Sequence, residues 1–182
     1  MPYWKKNQEI FTVGGFDDTS QNLAEFHCYS MEKNSWKTLS DLPQAMRGSS
    51  ATILRNVLYN IGGRESTHSI LYYKLTGNTH KWSPLNVKNY NFSKYAFRDA
   101  TVVSNTIVFF GSLDKNATFL LEQEHNSDKL EVKAEEVGMN YARGVNDTSF
   151  ATLDNSIYVF ETNSYTQVFK FSLSERSWTL YT

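Results

Sequence analysis

One pattern with a period of about 45 to 50 residues recurs along the chain, and this repeat constrains the fold more than any other feature. Each copy begins with an arginine and a strand of small residues, followed by a polar turn and an apolar strand. Three copies read RGSSATILRNVLYNIGG (47–63), RDATVVSNTIVFFGS (98–112) and RGVNDTSFATLDNSIYVFET (143–162). Their turns contain Asn or Asp, which favour tight chain reversals.

A second hairpin follows in the same units and carries a tryptophan on its outer strand. It reads YSMEKNSWKTL (29–39), YYKLTGNTHKWSPL (72–85) and FKFSLSERSWTLY (169–181). Tyr29 precedes Trp36 by the interval that separates Phe171 from Trp178. An aromatic body with a polar edge suits the space between packed sheets, which predicts a structural role for these pairs.

The second and third units depart from this spacing. Leu75 takes the aromatic position before Trp82 in the second unit. The third unit is degenerate, and its segment 119–132 puts Leu130 where a tryptophan is expected. The spacing therefore predicts less regular packing there.

Paired glycines end the second strand of the first two units. They are Gly14-Gly15 and Gly62-Gly63, and the third unit keeps only Gly111. The fourth unit has 161–162, Glu-Thr, at this position. Glycine permits backbone conformations and close approaches that a side chain blocks, so we expect a structural role for these positions.

Each unit thus predicts four short antiparallel strands, and the fold class is all-β. Aromatic residues, which favour strands, make up 15% of the chain. The long polar stretch at 122–138 lacks a sustained helical period of apolar residues. A four-stranded meander cannot bury both faces alone, so such sheets pack face to face around an axis, as blades of a β-propeller.

The double glycine, aromatic residue and tryptophan, in this order, resemble the kelch motif. The resemblance covers nearly the whole chain and is most specific in the first two units. It implies one kelch-type propeller unit over 1–182, with blades at 1–43, 44–87, 88–137 and 138–182.

The first blade is expected to lack its inner strand, because MPYWKKNQ is too short to supply one and a turn. Kelch propellers usually have more than four blades, so the unit is expected to be incomplete or part of a larger propeller. Three explanations stay open: a fragment of a longer chain, completion by a partner or second copy, and a tight four-blade closure.

Charge, hydropathy and cysteine content exclude several classes of protein. The net charge of −1 gives no footprint for nucleic acid, and no apolar run is long enough to span a membrane. The single cysteine, Cys28, cannot form an internal disulfide, and the first residues lack an apolar signal core. We expect a cytoplasmic protein, with association with the cytoskeleton as an alternative.

No catalytic, cofactor-binding or metal-binding residues are expected. The four histidines and Cys28 show no metal-ligand spacing, and no nucleotide-binding or hydrolase motif occurs. The paired acids after the first double glycine, Asp17 and Asp18, could serve a cation or acid–base chemistry, but a solvated turn is the favoured interpretation because no second cluster accompanies them.

Arginines recur at the start of the innermost strand, where a propeller places them around the channel mouth. Guanidinium groups there would suit carboxylate recognition, whereas pairing with a neighbouring blade is the alternative. The loops after the glycines join them on one face, and aromatic and arginine residues dominate binding hot spots. The predicted partner-binding residues are Arg47, Arg98, Arg143, Phe16, Asp17, Asp18, Arg64, His68 and Tyr165.

The kelch resemblance implies a non-catalytic protein–protein interaction module or a scaffold subunit. The expected partner is a protein or an acidic peptide, and no cofactor is expected. Three alternatives stay open: a kelch-type substrate receptor of a cullin-based ubiquitin ligase, a protein that binds actin or the cytoskeleton, and a propeller enzyme with a metal on its axis.

Overall fold

A computed structural model describes residues 1–5, 7–64, 70–85, 87, 99–110, 117–123, 132–138, 148–161 and 167–181. The secondary structure of these residues is entirely strand and turn, which confirms the all-β prediction. The strands form four antiparallel sheets of four strands each.

The four sheets follow one another along the chain, and each is a meander. The first contains β1 (Tyr3–Trp4), β2 (Glu9–Phe16), β3 (Asn22–Ser30) and β4 (Ser35–Thr38). The second contains β5 (Arg47–Leu54), β6 (Val57–Arg64), β7 (Ile70–Lys74) and β8 (Trp82–Pro84). The third contains β9 (Asp99–Val103), β10 (Thr106–Phe110), β11 (Ala117–Gln123) and β12 (Val132–Gly138). The fourth contains β13 (Thr148–Leu153), β14 (Ser156–Glu161), β15 (Val168–Ser172) and β16 (Ser177–Leu180).

The first sheet corrects the expectation that its inner strand is missing. Tyr3 and Trp4 form a two-residue strand that pairs with Ile10 and Glu9 of β2. Phe11 also donates its backbone N–H to the Pro2 carbonyl at 3.0 Å. The prediction was wrong because it required a longer segment, whereas two residues are enough to form a short inner strand.

Cross-strand register fixes which side chains share a face, because directly opposed residues point to the same side. We call the face of each sheet that packs on the preceding sheet its leading face, and the opposite face its trailing face. One row of the leading face runs across all four strands of each sheet. The rows are Tyr3–Ile10–Tyr29–Trp36, Ile53–Leu58–Tyr73–Trp82, Val102–Ile107–Leu121–Ala134 and Thr152–Ile157–Phe171–Trp178.

These rows correct two positions in the sequence alignment. The residue opposite Trp82 is Tyr73, rather than Leu75. In the third sheet Ala134 lies opposite Leu121 and holds the tryptophan position, whereas Leu130 lies outside the described residues. Both errors arise from hairpin loops of different length, which move the outer strand relative to its partner.

Three hydrophobic clusters lie between consecutive sheets. The first and second sheets share a cluster that includes Phe11, Phe26 and Trp82. The second and third share one around Tyr59 and Phe109, and the third and fourth share one around Phe110 and Phe171. Burial of these aromatic and aliphatic side chains is the main force that holds the sheets face to face.

The inner strands line a central cavity of about 770 Å³, which contains residues of all four sheets, including Tyr3, Ser50, Asp99 and Phe150. The arrangement is that of propeller blades around an axis. Among the described residues, none of the hydrophobic clusters joins the first sheet to the fourth.

Turns between the first two strands of neighbouring sheets also contact one another. Arg55 donates from Nε to the Oδ1 of Asn105 at 3.2 Å, and Ser104 donates from Oγ to the Oδ1 of Asn155. The first residue of each turn, Arg55, Ser104 and Asp154, has a left-handed backbone. The asparagines therefore link consecutive blades, in addition to forming the turns.

Candidate interaction face

The loop after the first double glycine is organised by one carboxylate. Asp17 accepts hydrogen bonds from the Thr19 backbone N–H at 2.9 Å, the Thr19 hydroxyl at 2.8 Å and the Gln21 backbone N–H at 2.8 Å. These donors, the Thr19 hydroxyl foremost, hold the pKa of the Asp17 carboxyl below its ordinary value. Asp17 therefore stabilises the conformation of the loop. Its carboxylate, which was predicted to contact a partner, has this structural role as well.

Phe16 ends β2 directly before this loop, and 63% of it is exposed. Asp18, on the other side of Asp17, is also exposed. An exposed phenylalanine beside a loop held by three hydrogen bonds is suited to an apolar contact, because the loop has little conformational freedom left to lose on binding.

The double glycine brings the start of the second sheet to the same place. Gly15 donates its N–H to the Met46 carbonyl at 2.9 Å, and a β-carbon on Gly14 would lie 2.7 Å from that oxygen. Met46 in turn donates its N–H to the Leu23 carbonyl at 3.0 Å. The linker between the first two sheets thus passes against the end of β2.

Arg47 follows Met46 and begins β5, where it lies opposite Arg64 at the end of β6. Phe16, Asp17, Asp18, Arg47 and the backbone of Arg64 therefore lie at one end of the first two sheets. We call this group of residues the interaction face.

The other predicted contact residues lie outside the described residues: Arg98, Arg143, His68 and Tyr165, as does the glycine of the third unit, Gly111. The side chain of Arg64 is likewise not described. The ring of arginines at the channel mouth stays a prediction, of which Arg47 alone is placed.

The motif residues have the structural surroundings that the repeat predicts. Gly14, Gly15, Gly62 and Gly63 all have positive φ, between 58° and 127°. The rings of Tyr29 and Trp36 lie 5.1 Å apart between centroids, as do those of Phe171 and Trp178.

Sequence reasoning missed the hydrogen-bond acceptors of the tryptophans. Trp178 donates from Nε1 to the Thr118 hydroxyl at 2.8 Å, and Trp82 donates from Nε1 to the Ser40 carbonyl at 3.1 Å. Both acceptors belong to the preceding unit of the chain. The acceptor in one case is a side chain and in the other a backbone carbonyl, so no residue type marks the position.

Cys28 and His27 are neighbours in β3 and point to opposite faces. Burial, with a smaller effect of the Glu9 carboxylate, raises the pKa of the Cys28 thiol to about 11. His27 lies on the leading face, with Nε2 at 3.0 Å from the Glu25 carboxylate. The part of the chain that the structure describes contains no group of three or more His, Cys, Asp or Glu residues placed to hold a metal.

Within the described ranges there is no helix of the length and apolarity needed to cross a membrane.

Comparison with known proteins gives a family match in the first unit. Residues 6–43 match a family described as the Kelch motif. This segment contains Gly14, Gly15, Tyr29 and Trp36, which carry the kelch resemblance in the first unit.

Two relatives come from Limulus polyphemus. Alpha-scruin is 30% identical over 135 residues, which cover 70% of this chain and 14% of that protein. Beta-scruin is 27% identical over 123 residues, which cover 62% of this chain and 13% of that protein. The chain thus spans about a seventh of the length of these relatives.

Proposed function

The chain is a kelch-repeat protein, and from this premise we propose that it is a non-catalytic protein-interaction module or scaffold subunit that binds a protein partner at the interaction face. The observation that carries the proposal is Phe16, a large exposed aromatic side chain beside a loop that Asp17 holds in one conformation. We place this activity in the cytoplasm, in keeping with the single buried cysteine thiol.

Charge around Phe16 supports a polar partner surface. Arg47 begins β5 and is partly exposed, and Asp18 lies in the adjacent loop. Guanidinium groups bind carboxylates in a bidentate manner, so an acidic peptide that places an apolar residue on Phe16 fits this arrangement. The aromatic centre with a charged surround is typical of a binding hot spot.

The test compares Phe16→Ala and Arg47→Ala with the matched control Met31→Ala. Met31 is also exposed and lies in the β3–β4 turn, at the opposite end of the first sheet from Phe16. Partners are captured from extracts of the source cells by the wild type and identified, and their affinities for each variant are then measured directly.

We expect Phe16→Ala to weaken partner binding about tenfold or more, which corresponds to the loss of roughly 1.4 kcal/mol or more at a hot spot. Arg47→Ala should weaken binding of acidic partners, and Met31→Ala should bind as the wild type does. Equal affinities for all three variants would remove the interaction face from the proposal.

An actin filament is a second partner class, since kelch proteins include actin binders. Cosedimentation of the purified chain with filaments tests it, with Phe16→Ala and Met31→Ala in parallel. Sedimentation that depends on Phe16 supports an actin partner at this face, whereas a chain that stays in the supernatant removes actin and leaves the other protein partners. The same capture experiment tests the third alternative, a substrate receptor of a cullin-based ubiquitin ligase, because the captured proteins would then include a cullin.

A further inference from the structure

We propose that a cleft between the first and second sheets binds a small organic acid, whose carboxylate is held by Lys37 and Tyr73 and whose apolar body packs on the aromatic wall. The cleft has a volume of about 470 Å³, which is within the range of small-molecule sites. It lies at the Glu9 end of β2, whereas Phe16 of the interaction face ends the same strand. The two sites are therefore separate.

The trailing face of the first sheet supplies one wall of the cleft. Phe11, Cys28 and Lys37 form a row across β2, β3 and β4. Glu9 lies two residues before Phe11, on the same face of β2, and pairs with Trp4 of β1. This wall is apolar at Trp4 and Phe11, and it carries a thiol, a carboxylate and an ammonium group beside them.

The second sheet and its β7–β8 loop supply the opposite wall. Tyr73 lies on the leading face of β7, and the centre of its ring is 6.2 Å from that of His80 in the loop. Ser40, in the linker between the two sheets, donates from Oγ to the His80 carbonyl at 3.0 Å and accepts from Trp82 Nε1 at 3.1 Å. These bonds hold the loop in place without a ligand, as is typical of a preformed site.

Tyr73 brings a hydrogen-bond donor to the cleft. Only 3% of the residue is exposed, yet it lines the cavity, and its hydroxyl forms no hydrogen bond within the described residues. Burial raises the pKa of Tyr73 above its ordinary value, so the hydroxyl stays protonated and able to donate at neutral pH. A largely buried donor without a partner is unfavourable, and an acceptor on a ligand would remove this cost.

Lys37 and His80 add further donors at the edge of the cleft. Both side chains are exposed, and neither forms an ion pair or a side-chain hydrogen bond in the part of the chain that the structure describes. Glu9, the one acid among the described residues of the lining, already accepts a hydrogen bond from the Cys28 thiol. The titratable side chains that lack a partner here are donors, so they favour an anion, and a carboxylate can accept from Lys37 and Tyr73 together.

The remaining lining fits an apolar body behind the carboxylate. Phe11 and Trp4 belong to the aromatic wall, and Leu39 and Leu75 border the cleft with half-buried side chains. An apolar group placed among these side chains leaves water and removes their remaining apolar surface from it. A carboxylate on a short aromatic body therefore satisfies both parts of the cleft.

The test measures the affinity of phenylacetate for the whole chain by isothermal titration calorimetry. Neutral phenylacetamide and cationic phenethylamine are the matched controls, because both carry the same ring. We expect the acid to bind at least about tenfold more tightly than either control. Equal or tighter binding of a control, or no binding of the acid up to about 10 mM, would overturn the proposal.

Substitutions test the residues assigned to the carboxylate. Lys37→Met removes the charge of an exposed side chain and Tyr73→Phe removes only a hydroxyl, and each should weaken phenylacetate binding at least about fivefold. Lys170→Met removes an equal charge from the fourth sheet, so it should bind as the wild type does. Circular dichroism checks that the variants fold. Wild-type affinity in Lys37→Met or Tyr73→Phe would overturn the assignment.

Alkylation of Cys28 gives a second readout, because the thiol lines the cleft. Saturating phenylacetate should slow its labelling by iodoacetamide at least about threefold, and phenethylamine at the same concentration should not. Labelling that is unchanged by bound acid would contradict the proposal. Phe16→Ala should bind phenylacetate as the wild type does, so this test and that of the interaction face can fail separately.

Discussion

At Gly14 a single absent β-carbon allows two parts of the chain to touch. The repeated glycine pair predicts a special backbone from sequence alone, and positive φ at Gly14 and Gly15 confirms it. The partner was not predictable, because Met46 is distant in sequence and carries no motif. Its carbonyl oxygen, rather than its side chain, makes the contact with Gly15.

Gly14→Ala should destabilise the fold more than Gly48→Ala does. Both glycines have similar positive φ, of 58° and 67°, so alanine pays the same backbone strain at either position, roughly 1–2 kcal/mol. At Gly14 the added carbon also meets the Met46 carbonyl oxygen, whereas nothing lies within 4 Å at Gly48. We expect an additional loss of about 1–3 kcal/mol at Gly14, measured by urea denaturation. Equal losses would show that the linker moves away freely.

The thiol of Cys28 should react slowly in the folded protein. Burial raises its pKa to about 11 from the ordinary value of 9.0, so the reactive thiolate is scarce at neutral pH. The rate of alkylation by iodoacetamide should still be rising at pH 10 in the native chain and should level off one to two units earlier in urea. Rapid stoichiometric labelling of the native chain at pH 8 would contradict this.

The free energy of unfolding should depend on the protonation of the Cys28 thiol. The folded state holds this proton more tightly than the unfolded chain, so this contribution is fully present below pH 9 and is lost as the pH rises toward 11. Cys28→Ala is the control, because it removes this contribution to the pH dependence of the free energy of unfolding.

Among the strands, the aromatic–tryptophan pairs of the second and fourth sheets lie in the contact with the preceding blade. The sequence predicts these pairs wherever the hairpin length is conserved, as for Tyr29 with Trp36 and Phe171 with Trp178. It fails where the hairpin differs in length, as in the second and third sheets. Spacing along the chain identifies residues that lie opposite each other on paired strands only if the hairpin loop between the strands has a constant length.

Trp178 and Trp36 hold the same row position and should differ sharply in energetic importance. Trp178 is buried against the third sheet and donates to Thr118, so Trp178→Ala should cost about 3–5 kcal/mol. Trp36 is 58% exposed, so Trp36→Ala should cost less than about 1 kcal/mol. Chemical denaturation of both variants measures the difference. Similar losses would mean that Trp36 is covered in solution.

At the scale of the whole molecule, the hydrophobic clusters of the described residues join each sheet to its neighbours in sequence. The second sheet and the third sheet each have a hydrophobic cluster on both faces. The first sheet and the fourth sheet each have such a cluster on one face. Stability in such an array is roughly a sum of the units and their interfaces. Sequence predicted the number and order of the blades, whereas the short strand β1 depends on contacts that its two residues could not signal.

Amide hydrogen exchange should reflect this order. We expect the amides of β6 to exchange more slowly than those of β14, although both are second strands of their sheets, because only β6 lies between two covered faces. Mass spectrometry of peptides from the two strands measures the difference. Equal protection would indicate that the four sheets open as one cooperative unit.

The meander order of the strands also bears on how the chain folds as it leaves the ribosome. All strand pairs of the first sheet lie between Tyr3 and Thr38, so its backbone hydrogen bonds can form early and with short loops to close. Its aromatic core forms later, because Phe26 packs on Tyr73 and Trp82 of the next sheet. During synthesis the first three blades therefore each expose an apolar trailing face to solvent until the next blade emerges and covers it.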